Sequence, residues 1–154
     1  MAKLTGWQQY NLLAGQVNLF FKGSYVGKTN FNPRASSDTL SLSLGKDAKV
    51  IVQRKNQRDF TKVKTIGSNQ KETIGYTISI NNTNNKDISI EVVDQVPLSK
   101  HSDIVVEVTE SSKAQKNMKT GELTWELNIK AGKTKSVEVT YEVTSPKNKT
   151  VYGL

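Results

Sequence analysis

Three short runs hold residue types that carry chemistry in other settings. His101-Ser102-Asp103 contains every side chain of a hydrolytic triad, in which a base activates a hydroxyl and a carboxylate orients the base. Adjacency works against it, because successive strand side chains point to opposite faces and neighbours cannot build that relay. His101 is the only His, so no other side chain has an unperturbed pKa near neutrality. The run reads as a solvated loop after Pro97. Gly23–Thr29 (GSYVGKT) pairs glycines with Lys-Thr, as a phosphate-binding loop does, but three residues separate its glycines where that loop has four. The loop also needs a helix after it to present N–H groups to phosphate, and the flanks here alternate as strands, which makes a hairpin. Asn81–Asp87 (NNTNNKD) is rich in oxygen but has one carboxylate, too few for a calcium loop, and reads as a polar turn. With one His and no Cys the usual zinc sets are excluded, as are disulfides and a cysteine nucleophile. Glu107, Glu110, Glu122, Glu126, Glu138 and Glu142 fall mostly on the polar side of alternating segments. No two stand out as the pair, about 5–10 Å apart, that glycoside hydrolysis requires. The expectation is a non-enzymatic protein with no catalytic, cofactor-binding or metal-binding residues.

Charge offers a different kind of site. The chain has 22 Lys+Arg against 14 Asp+Glu, a formal net charge of +8. Residues 1–57 hold eight basic and two acidic side chains, and residues 58–154 hold fourteen and twelve. The densest stretch supplies Lys46, Lys49, Arg54, Lys55, Arg58, Lys62 and Lys64. Such a patch suits a carbohydrate or an anionic surface, with Tyr25, Phe31 or Tyr152 as exposed aromatics. Nucleic acid is set aside, since Phe60 is the only aromatic available for stacking within the stretch. A plainer reading is a solvated strand pair whose lysines discourage edge-to-edge aggregation.

The elements that must position these residues are β-strands. Val, Ile and Thr number 15, 9 and 15 against six Ala, an excess that favours strand over helix. Apolar residues alternate at Ile74–Ile80, Ile88–Val92, Ile104–Val108, Leu123–Ile129 and Val137–Val143, the pattern of antiparallel sheet with one wet face. Pro97 closes one of these strands and Ala131-Gly132-Lys133 separates two others. Trp125 is placed as a core anchor. The resulting architecture is all-β: an antiparallel immunoglobulin-like β-sandwich over residues 59–154, with an N-terminal segment, 1–58, packed on or beside it. That segment is expected to hold a short helix over Thr5–Gly15 and two β-hairpins. One hairpin turns at Gly23-Ser24, and the other joins Leu40–Leu44 to Lys49–Lys55. No run is long and apolar enough to span a membrane, and the polar start at Lys3, Thr5 and Gly6 does not read as a secretory leader.

Several motifs occur together: Asn11–Lys28 (NLLAGQVNLFFKGSYVGK), Thr39–Asp47 (TLSLSLGKD), Ile66–Thr73 (IGSNQKET), Val93–Ser99 (VDQVPLS), Thr120–Trp125 (TGELTW) and Tyr141–Lys147 (YEVTSPK). In order and spacing they resemble the C-terminal part of a bacterial domain of unknown function that closes "mucoidy inhibitor"-like proteins. The resemblance implies that the chain is a fragment of something longer and that the upstream half of the same protein is a partner. It implies a periplasmic or cell-envelope setting, and it implies no activity. Tyr76–Val143 is also similar to the Ig-like repeats of bacterial surface proteins. Open strand edges would allow homo-oligomers. The function expected is a structural or protein-interaction module, the alternative being a carbohydrate- or anionic-surface-binding module that uses the basic patch.

Overall fold

The computed structural model describes residues 2–21, 23–34, 39–57 and 62–147. Among these, the regular elements are β-strands and one short 3-10 helix. The chain divides into two compact units, Met1–Ala48 and Lys49–Leu154.

In the first unit, β1 (Ala2–Thr5) pairs antiparallel with β4 (Thr39–Leu42), and β2 (Gly15–Phe21) forms a hairpin with β3 (Ser24–Phe31). Phe21 pairs with Ser24, and Gly23 between them takes φ +77, which an L side chain rarely adopts. Ser24 therefore opens β3 and does not belong to the turn, which corrects the expected Gly23-Ser24. The helix expected over Thr5–Gly15 is corrected to a single 3-10 turn, Trp7–Tyr10. Thr5 belongs to β1, and Asn11 adopts φ 46, a left-handed conformation that stops a right-handed helix after one turn. So short a piece does not carry the cost of nucleating an α-helix. Trp7, Leu19 and Phe31 are buried, with the Trp7 and Phe31 rings edge-on at 5.2 Å.

The second expected hairpin is also corrected. Thr39–Leu42 pairs with β1, and β5 (Val50–Asn56) pairs with β7 (Asn69–Asn82) of the second unit. Alternation tells which face a residue takes and leaves the choice of partner open. At 14 residues β7 is long enough to hold two neighbours on one edge: β5 against Tyr76–Asn82, and β6 (Lys62–Ile66) against Asn69–Thr73. On its other edge lies β12 (Thr134–Pro146), followed by β9 (Val105–Glu110), which makes a five-stranded antiparallel sheet. A second, three-stranded sheet runs β10 (Gln115–Asn117), β11 (Glu122–Ile129), β8 (Ile88–Gln95).

Both sheets contribute one face to a single core. Tyr76, Ile78, Ile80, Val137, Val139, Tyr141 and Val143 come from the five-stranded sheet, and Val92, Leu123, Trp125, Leu127 and Ile129 from the other. Each large aliphatic side chain buried there contributes about 1.5–3 kcal/mol relative to exposure. Trp125 is 3% exposed and donates its indole N–H to the Ser111 carbonyl at 2.8 Å, so its polar end is satisfied inside the core. Asn82 is fully buried at the end of β7. Its amide donates to the carbonyls of Lys86, Ile129 and Lys130 and accepts from the Asn84 N–H, which folds the Asn-rich loop back on itself.

Candidate interaction site

His101-Ser102-Asp103 lies in an exposed loop between β8 and β9. Ser99 Oγ accepts from the His101 N–H and donates to its carbonyl, while Ser102 Oγ donates to Asp103 at 3.3 Å. These are turn contacts, and the His ring joins none of them. In the Asn81–Asp87 run, Asp87 accepts the Ala131 N–H at 2.9 Å, so the only carboxylate of the loop ties it to the turn before β12.

The basic residues fall in different places. Lys46 belongs to the first unit, while Lys49, Arg54, Lys55 and Lys64 belong to the second. Arg58 and the Lys62 side chain lie outside the described residues, as do Phe60 and Tyr152. Strand alternation separates Arg54 from Lys55, because Arg54 stands opposite Ile78 on the core side and Lys55 opposite Thr77 on the wet side. Arg54 reaches to β8, where it binds Asp94 at 3.1 Å, with its guanidinium 3.6 Å from the Tyr76 ring centroid. It thus ties one sheet to the edge of the other. Lys55 and Lys64 remain exposed on the outer face of the five-stranded sheet. Of the aromatics, Tyr25 is exposed, but Phe31 is buried against Trp7 and is corrected from its expected exposed role.

A feature that sequence reasoning missed lies at the opposite edge of the second unit. A cleft of about 300 Å³ opens between β9 of the five-stranded sheet and the β10–β11 hairpin of the three-stranded sheet. Val106 and Val108 line one wall, Val96, Leu98 and Leu123 the base and far wall, and Met118 stands 77% exposed at the rim. Glu107, Glu122 and Lys116 are the charged groups around it. Gly121 fixes one side. At φ +75 its N–H donates to Asn117, its carbonyl accepts the Val96 N–H, and a Cβ there would lie 2.4 Å from the Val96 oxygen. No local sequence signal marks this site, because its lining comes from segments far apart in the chain.

The first unit displays apolar side chains as well. Phe20 and Tyr25 pack edge-on at 5.6 Å on the β2–β3 hairpin and are 64% and 54% exposed. Leu13, Val17 and Phe21 are also exposed.

Fold and site together define an all-β module of antiparallel sheets with apolar surface left open on both units. The chain belongs to the family described as domain of unknown function DUF4139, whose profile matches residues 3–147. It is similar to Protein F37C4.5 of Caenorhabditis elegans, 26% identical over 107 residues, which are 69% of this chain and 19% of that protein. The matched region is thus a small part of the relative's length. No solved structure matches the chain.

Proposed function

We propose that this chain is a non-enzymatic structural and protein-interaction module within a longer protein, its second unit an immunoglobulin-like sandwich. The observation that carries the reading is the hairpin surface of the first unit. Phe20, Phe21 and Tyr25 lie exposed there, while Trp7, Leu19 and Phe31 supply what little core the unit has. Aromatic side chains left in water cost solvation free energy, and docking against another protein surface recovers it. The share of the C. elegans relative that lies outside the matched region supports a setting of this kind. The proposed location is the bacterial periplasm or cell envelope, on the resemblance described above, and fractionation of cells producing the tagged protein checks it.

The module reading is tested by a photo-reactive amino acid at position 20 of the full-length protein in cells. The expected result is one recurring protein adduct, or an intramolecular one, that weakens on Tyr25→Ser and is missing when the label sits at Glu138. Adducts no different from the Glu138 control overturn the reading. So does a hydrolytic or transfer activity of the purified protein that disappears on substitution of any described residue.

A further inference from the structure

We propose that the cleft beside β9 takes an extended peptide, added as a strand to the free edge of β9, with aliphatic side chains directed inward and basic side chains outward. The proposal rests on the module reading but uses a different surface from the one that carries it.

β9 ends its sheet, so one row of its backbone N–H and C=O groups has no strand partner among the described residues. Edges of this kind are usually guarded by charge, proline or a bulge. β9 carries a bulge at Thr109, near its end, and in the regular stretch before it the only charge is Glu107, among Val105, Val106 and Val108. A chain that pairs with β9 places alternate side chains over the cleft, where Val106, Val108, Leu98 and Leu123 form an apolar bed. A cavity of about 150 Å³ holds a benzene-sized group, so about 300 Å³ accommodates roughly two aliphatic side chains.

Charge on the outer face selects the partner. Glu107 stands directly opposite Glu142 on β12, and like charges in that position are destabilising. Lys71 on β7 binds Glu142 at 2.5 Å from the far side. The outer face therefore reads Lys71, Glu142, Glu107 toward the open edge. A Lys or Arg on an added strand, beside Glu107, gives each of the two facing carboxylates a basic neighbour. Glu122 across the cleft adds a second carboxylate, against one ammonium from Lys116. Burial of aliphatic side chains and pairing with Glu107 need the strand period of two, so alternating aliphatic and basic residues satisfy both.

The test uses a fluorescein-labelled nine-residue peptide of alternating Ile and Lys, a second of alternating Ile and Glu, and the intact protein. Anisotropy is expected to show saturable binding of the Ile-Lys peptide and binding at least tenfold weaker for the Ile-Glu peptide. Glu107→Lys should weaken the first at least tenfold and strengthen the second. Leu98→Ser should weaken the first about fivefold, and Glu138→Lys, a control for net charge, should change neither by more than twofold. Matching circular dichroism and melting curves for all variants assign these changes to the surface. The proposal is overturned by any of four results: no binding of the Ile-Lys peptide, equal binding of both peptides, indifference to Glu107→Lys, or self-association that Leu98→Ser abolishes. Loss of peptide binding with an intact adduct at position 20 defeats the cleft alone, whereas loss of both defeats the module reading too.

Discussion

Trp7 and Trp125 are both buried, 5% and 3% exposed, and their surroundings differ in every other respect. Trp125 sits among side chains from two sheets and donates its N–H to Ser111 at 2.8 Å. Trp7 packs on Phe31 at 5.2 Å, and its buried N–H finds no hydrogen-bond partner among the described residues. A buried indole brings a large apolar contribution and one polar obligation. The second unit meets both. The first unit meets one, and leaves Tyr10, Leu13, Phe20 and Tyr25 in solvent besides. The contrast separates a unit that completes its own core from one that leaves much of its apolar surface exposed.

The largest effect expected from this contrast is at Trp125. Trp125→Ala should destabilise the second unit by about 3–5 kcal/mol, the range for truncating a large buried aromatic. Urea unfolding followed by far-UV circular dichroism checks it, and a loss below about 1 kcal/mol would mean that the two-sheet core does not depend on its central ring. Gly121→Ala should come next. Its positive φ costs about 1–2 kcal/mol for an L side chain, and the new Cβ would meet the Val96 carbonyl oxygen at 2.4 Å. A loss of about 2 kcal/mol or more is expected, together with weaker peptide binding at the cleft that this turn borders. Trp125→Phe keeps most of the packing but strands the Ser111 carbonyl, for an expected loss of about 1–3 kcal/mol.

How much of this was legible depended on whether a property is local. The inward faces of β7, β8, β11 and β12 follow from alternation alone, and β8 stops at Gln95, just before Val96-Pro97, as a missing ladder donor demands. Strand partners are a property of the whole fold, so Leu40–Leu44 and Lys49–Lys55 read as neighbours although the strands found there pair elsewhere. The basic stretch shows the same limit. Residues adjacent in sequence look like one patch, but the strand period turns Arg54 toward Asp94 and Lys55 away from it. The cleft joins β9 to β10 and β11 and to Val96–Leu98, segments that only the strand pairing of the whole fold brings together, so nothing local announced it in sequence. Asn82 was hidden because an Asn-rich run looks like a solvated loop, whichever of its members is buried.

Tyr76 carries into the second unit the unpaired polar atom that marks the first. Its ring is buried under Arg54, and its hydroxyl finds no well-formed hydrogen bond among the described residues. Burial raises the Tyr76 hydroxyl above its ordinary value, with Arg54 opposing. A proton held more tightly in the folded state stabilises it fully below the unfolded value, about pH 10, and that stability is lost as pH rises further. Tyr141 is raised by burial in the same direction. Tyr76→Phe should therefore be neutral, or stabilising by up to about 1 kcal/mol, at pH 7. It should also flatten, without abolishing, the fall in stability above about pH 10. Urea midpoints across that range decide it, and a steeper alkaline fall in the variant would contradict the account.

The smallest change is expected at Trp7, and it bears most directly on the contrast between the two indoles. Trp7→Phe gives up part of the buried apolar area but also removes an N–H that was desolvated without a partner, and these two contributions oppose each other. The net effect should lie within about 1 kcal/mol of zero, against the larger loss for the same substitution at Trp125. The variant leaves Trp125 as the only indole, so its fluorescence reports the second unit while hydrogen exchange at β2 and β3 reports the first. Were Trp7→Phe to cost as much as Trp125→Phe, the Trp7 N–H would have to be bonded in solution. The first unit would then satisfy its own core as fully as the second does, and the exposed hairpin would lose its claim to be a surface built for a partner.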